Sequence, residues 1–158
     1  VFALKSSAFE DGQRMPVKYA NTGVGGGQNI SIPLSWENPP EGTKSFAVAT
    51  VDRHPVANNW VHWLVINIPG SVISLPEGAS GTNNMPAGAK ELNNTFGFQG
   101  YGGPQPPPGT GDHDYETTIY ALNVEGLNLE ANTSLGQFMD AIQGRVLGSA
   151  KLTGKFSR

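Results

Sequence analysis

Three runs, SFAVATV (45–51), WVHWLVINI (60–68) and YETTIYALNV (115–124), are rich in β-branched and aromatic residues, with turn formers between them. Runs of this length and composition form strands, and a strand shows alternate side chains to opposite faces. Pro/Gly clusters such as NTGVGGGQN (21–29) and ENPPEGTKS (37–45) punctuate the chain. They predict a mainly antiparallel β domain joined by tight turns. With 158 residues the chain suffices for a single domain over 1–158 with a sizeable core. Only 15% of residues are charged, which argues for order despite 21 glycines and 12 prolines. From 69 to 112 the sequence is mostly loop, a length expected to build a site or to pack as an ordered surface.

One stretch has helical period. In SLGQFMDAIQGRVLGSA (134–150), Leu135, Phe138, Met139, Ile142, Val146 and Leu147 recur at helical spacing. Ser134 and Gln137 form a capping-box pair, Gly148 is the expected stop, and Gly144 is an earlier one. The terminal AKLTGKF is expected to return as a short edge strand.

Composition removes several functions. The chain has no cysteine, so disulfides, thiolate nucleophiles and Cys-ligated metals are out. Net charge is −3 with no basic cluster, which argues against nucleic acid as a partner. GVGGG (23–27) lacks the Lys-Ser/Thr of a P-loop and completes no dinucleotide fingerprint, so no cofactor is expected. The histidines and Asp52 match no compact metal-ligand spacing, so no metal is expected either. No apolar stretch approaches the roughly 20 residues that cross a bilayer. The start, VFALKSSAF, is not a leader, so the chain reads as cytoplasmic, with a secreted or periplasmic mature chain left open.

The chemistry concentrates on histidine. His62 lies inside an aromatic strand, where alternation points Trp60, His62, Leu64 and Ile66 the same way. The plain reading is a packed histidine; the functional one is the floor of a pocket. His113 opens the third strand, with Tyr115 on its face and Asp114 and Glu116 opposite. The preceding loop, stiffened by proline, can bring backbone N–H groups close to a ligand. Two imidazoles and a phenol make a donor set for an anion such as phosphate. Asp52 fits beside them if it accepts a bond from a histidine. It would then favour the imidazolium, so that anion affinity falls as pH rises.

The residues that carry this chemistry lie in a wider resemblance. SSAFEDGQRMPVKYA, NISIPLSWENPPEGTKSFAV, the HWLVINIP segment (62–69), GPQPPPGTGDHDY (103–115) and RVLGSAKLTGKFSR together resemble the phosphatidylethanolamine-binding proteins, or Raf kinase inhibitor-like proteins. The likeness is to the short bacterial and archaeal branch and runs nearly end to end. It implies a large antiparallel sheet packed with a smaller one, plus a C-terminal α-helix. It also implies an anion pocket of Asp52, His62, His113 and Tyr115, with Gly103 to Gln105 supplying backbone donors. Where the family carries D-P-D-x-P, this chain reads Asp52-Arg53-His54-Pro55. The second acid is lost, His54 is placed to add a donor, and the His54–Pro55 bond is a candidate for the cis form.

The function so implied is non-enzymatic binding of a phosphate-bearing ligand, either a phospholipid head group or a nucleotide. Regulation of a protein kinase or inhibition of a serine protease, and a homodimer, come with the resemblance. The alternatives are a hydrolase using an Asp52–His62 or Asp52–His113 pair as general base, and a protease inhibitor acting through a loop within 69–112. No nucleophile accompanies the pair, so no catalytic residue is assigned.

Overall fold

Strand β3 (Ser45–Asp52) is buried along its whole length, because both faces of the sheet it centres are covered. The computed structural model describes residues 1–158. Eight strands are present: β1 (Ala3–Lys5), β2 (Leu34–Glu37), β3, β4 (Trp60–Pro69), β5 (Ser74–Leu75), β6 (Lys90–Glu91), β7 (His113–Leu122) and β8 (Val146–Phe156). They form a five-stranded sheet in the order β6-β4-β3-β7-β8 and a three-stranded sheet in the order β1-β2-β5. Every pairing between strands is antiparallel. The architecture is the two-sheet, mainly β arrangement expected from the sequence.

Alternation along β3 divides the core. Phe46 and Val48 face the small sheet and pack with Trp36, Leu34 and Leu75. Ala47 and Ala49 face the other way, toward Phe138 and Ile142 of helix α1 (Leu135–Ile142). Alanine on that side lets the helix lie close to the sheet, while the bulky residues fill the wider gap between sheets.

Helix α1 starts as the sequence predicts. Gln137 N–H donates to Ser134 Oγ at 3.1 Å, and the Ser134 N–H donates to Gln137 Oε1 at 2.9 Å. Its end differs from the expectation. The helix stops at Ile142, with Gly144 at φ 79° turning the chain, and residues 146 onward form β8. Val146 and Leu147, read as helical core, are strand residues 40% and 41% exposed, and Met139 is 43% exposed. A left-handed glycine ends a helix readily, and the eleven-residue β8 finds a full partner in β7 that the sequence pattern does not reveal. The terminal strand is accordingly long rather than short.

Strand β4 breaks its own alternation. Trp63 pairs with Thr50 but Val61 pairs with Val51, so His62 is an extra residue, a β-bulge. The expected common face of His62, Leu64 and Ile66 is therefore wrong. Leu64 and Ile66 pack under the helix, whereas His62 turns with Trp63 to the opposite side, against Tyr115. A second irregularity lies between Val65 and Ile68, where Asn67 adopts φ 61° and its side chain holds Leu127 through two hydrogen bonds.

The long loop segment is tied down by specific bonds. Glu91 accepts from Trp63 Nε1 at 2.8 Å, Ser80 Oγ at 2.5 Å and Gly81 N–H at 2.8 Å. The Tyr101 hydroxyl donates to the Tyr19 carbonyl at 2.8 Å, and Gly102 N–H donates to the His62 carbonyl at 2.8 Å. This bonding brings residues 96–107 back over the end of the large sheet.

Candidate functional site

Three strands deliver their chemistry to one end of the large sheet. β3 ends at Asp52, β7 begins at His113, and Asp52 pairs across with Tyr115 on one side and Trp60 on the other. The bulge adds His62, whose ring meets Tyr115 edge-on at 5.0 Å between centroids. These side chains, with Phe96, Gln105, Pro106 and Pro107 from the loop, line a cavity of about 400 Å³. Asp52, His62, His113 and Tyr115 are all at least 97% buried, so little of the polar floor is exposed to water.

Asp52 joins His113, not His62. Its Oδ2 lies 2.6 Å from His113 Nδ1, and its Oδ1 accepts the His54 N–H at 2.9 Å. His113 Nε2 meets Thr110 Oγ1 at 2.8 Å, and that hydroxyl also reaches the Pro107 carbonyl at 2.7 Å. Since a hydroxyl has one proton, giving it to Pro107 leaves the Thr110 oxygen to accept from His113. Both ring nitrogens of His113 are then engaged within the protein. It walls the cavity and pairs with Asp52, but offers neither nitrogen to a ligand.

His62 differs. The Gly102 carbonyl lies 2.7 Å from Nδ1 and can only accept, so Nδ1 carries the proton. Burial lowers the pKa of this ring from 6.5 to about 4, against the opposing pull of the Gly102 carbonyl and the Asp52 charge. At neutral pH His62 is therefore uncharged, and Nε2 presents a lone pair. The Tyr115 phenol is held in its protonated form first by burial and then by the nearby Asp52 carboxylate. Although that carboxylate is near, no protein group is in hydrogen-bonding geometry with the hydroxyl, which is buried; Trp60 Nε1 is in the same condition. Buried polar atoms without partners are uncommon, and two of them belong to residues lining this one cavity.

The remaining expected residues fall into two groups. Gln105 lines the cavity, but Gly103 does not: its N–H donates to Asn29 Oδ1 at 2.6 Å, and Pro104 has no N–H. Gly103 is needed for closeness instead, since a Cβ there would lie 2.2 Å from the Tyr19 carbonyl oxygen. Of the expected backbone donors only Gln105 is left. His54 stacks on His113 at 3.9 Å and stays outside the lining. Its Nε2–H reaches the Thr110 carbonyl at 3.0 Å and its Nδ1 accepts the Val56 N–H at 3.1 Å, so it adds no donor to the pocket. No peptide bond is cis, and His54–Pro55 is trans, with His54 capping a short 3₁₀ turn over Pro55–Ala57.

Trp60, Phe96, Pro106, Pro107 and Thr110 were not foreseen as site residues. Trp60 carried a signal, standing two residues from His62 in a strand. Phe96 carried none, because a loop far along the chain brings it edge-on to His62 at 5.5 Å.

A family model described as phosphatidylethanolamine-binding protein matches residues 5–157. The UPF0098 protein of Methanothermobacter thermautotrophicus is 38% identical over 98% of this chain and 98% of its own. The UPF0098 protein YbhB of Escherichia coli is 36% identical, covering 98% of this chain and 99% of that protein. The crystal structure of E. coli YbcL, described as a new member of the mammalian PEBP family, superposes with a TM-score of 0.92 at 33% identity, over 99% of this chain and 98% of that one.

Proposed function

The chain belongs to the phosphatidylethanolamine-binding protein family, and on that premise we propose that its cavity binds a small phosphate-bearing ligand without transforming it. The observation that carries this reading is Tyr115, a cavity-lining residue whose buried, protonated hydroxyl stands near Asp52 but has no partner in hydrogen-bonding geometry. Trp60 Nε1 adds a second unpaired donor in the same lining. The Asp52 carboxylate, which would otherwise repel an oxyanion, is engaged by the His113 ring at 2.6 Å and by the His54 N–H at 2.9 Å.

The hydrolase alternative is disfavoured by how the two histidines divide their roles. A general base needs a free nitrogen on a ring whose other nitrogen is supported, with basicity suited to neutral pH. The carboxylate supports His113, which has no free nitrogen. The free nitrogen belongs to His62, which is backed by a carbonyl and weakened by burial to about 4. Support and free nitrogen sit on different rings.

The test is an ¹⁵N NMR titration with O-phosphoethanolamine. Shifts centred on His62, Trp60, Gln105 and Tyr115 are expected, including the Trp60 indole N–H. That signal is separable because the Trp36 and Trp63 indoles are already bonded, to the Val72 carbonyl and to Glu91. No shift at millimolar ligand would end the proposal.

A further inference from the structure

The cavity offers an incoming oxyanion partners of two unlike kinds. The Tyr115 hydroxyl and the Trp60 indole N–H can donate. His62 Nε2 can only accept, because the Gly102 carbonyl at 2.7 Å holds the ring's proton on Nδ1. His113 is committed to Asp52 and Thr110, and His54 to Thr110 and Val56. A fully deprotonated oxyanion would set its oxygen lone pairs against the lone pair of His62. A lone pair facing a lone pair repels, and a buried acceptor left without a donor is unfavourable.

We infer that the cavity selects an oxyanion that brings its own proton, namely a phosphate monoester in its monoanionic form. Its P–OH donates to His62 Nε2 while its other oxygens accept from the Tyr115 hydroxyl. The inference rests on the phosphate reading above and narrows it: the phosphodiester of an intact phospholipid has no such proton and is disfavoured. Ionisable groups face His62 from β3 (Asp52) and β7 (His113 and Tyr115). Arg158, whose Nε donates to the Pro106 carbonyl at 2.7 Å, acts on Tyr115 from the rim. Phe96 and the backbone of Gly102 and Gly103, which also neighbour the ring, bring no charge. Uncharged His62 therefore leaves the ligand as the carrier of the proton.

The experiment compares three probes on the unmodified protein by NMR titration: O-phosphoethanolamine, ethanolamine O-sulfate and glycerophosphoethanolamine. At pH 6 the sulfate ester matches the monoester monoanion in shape and charge and lacks only the proton. It should bind at least about tenfold more weakly, as should the diester. Because a phosphate monoester loses its last proton near pH 6, O-phosphoethanolamine should itself weaken about tenfold or more between pH 6 and 7.5. The ring ¹⁵N signal of His62 Nε2 should move as that nitrogen gains a donor. Equal binding of sulfate and phosphate esters at pH 6, equal binding of the diester, or monoester affinity rising toward pH 7.5 would overturn the inference and leave the phosphate site standing. Failure of all three probes to bind at millimolar concentration would remove both.

Discussion

At the scale of single residues, the site separates roles that a list of histidines would merge. On the proposed reading Tyr115 donates to the ligand, since its buried hydroxyl has no partner in hydrogen-bonding geometry. Tyr115→Phe should weaken O-phosphoethanolamine binding about tenfold, while urea unfolding stays within about 0.5 kcal/mol of the parent protein or improves slightly. Asp52 is the reverse case. It holds His113 at 2.6 Å and the His54 N–H at 2.9 Å in a buried setting. Asp52→Ala should lower unfolding free energy by about 3 kcal/mol, with Asp52→Asn losing less. His62 links stability to pH. Its pKa is about 4 in the folded chain and near 6.5 when unfolded, so the unfolded state binds more protons between those values. Its contribution is complete above pH 6.5 and is lost as pH falls toward 4, by about 3 kcal/mol over that window. Urea midpoints taken at intervals from pH 7 to 4 should show this slope, and His62→Gln should flatten it.

At the scale of elements, the bulge in β4 and the short helix decide most. The bulge moves His62 out of the row of Leu64 and Ile66 and sets it against Tyr115. Deleting His62 would restore the alternation between Val61 and Trp63 and remove the ring from the cavity. Helix α1 covers the other face of the sheet through Phe138 and Ile142, both at most 1% exposed. Phe138→Ala should destabilise by about 3 to 5 kcal/mol in denaturant titrations, whereas Met139→Ala, half outside the core, should fall under about 1 kcal/mol. Ser134→Ala removes one half of a formed capping box and should remove about 1 kcal/mol.

At the scale of the whole molecule, the cavity sits where three strand ends meet a loop that is bonded down from within. The loop's bonds to Glu91, Tyr19 and His62 make the lining largely preformed, which lowers the ordering cost of binding. Ligand should therefore raise the melting temperature of the chain. A hundredfold excess over the dissociation constant is worth about 2.7 kcal/mol. Thermal scans with O-phosphoethanolamine should show that rise in the parent protein, and little of it in Tyr115→Phe at the same concentration. No helix of the fold is long and apolar enough to cross a membrane.

The sequence by itself determined the strands read at 45–51, 60–68 and 115–124, the start of the helix and the mainly antiparallel β class, because period and turn chemistry are local properties of the chain, while the two-sheet arrangement came with the family likeness. It also brought forward Asp52, His62, His113 and Tyr115, through residue type and a family likeness. Only the tertiary structure decided which histidine Asp52 holds, where the helix yields to β8, and which way His62 turns. Those outcomes depend on partners far apart in the chain: Asp52 with His113, Thr50 with Trp63, Ala150 with Ile119. A hydrogen-bond partner or a strand register is a relation between distant segments. Its free energy exists only once both have been brought together.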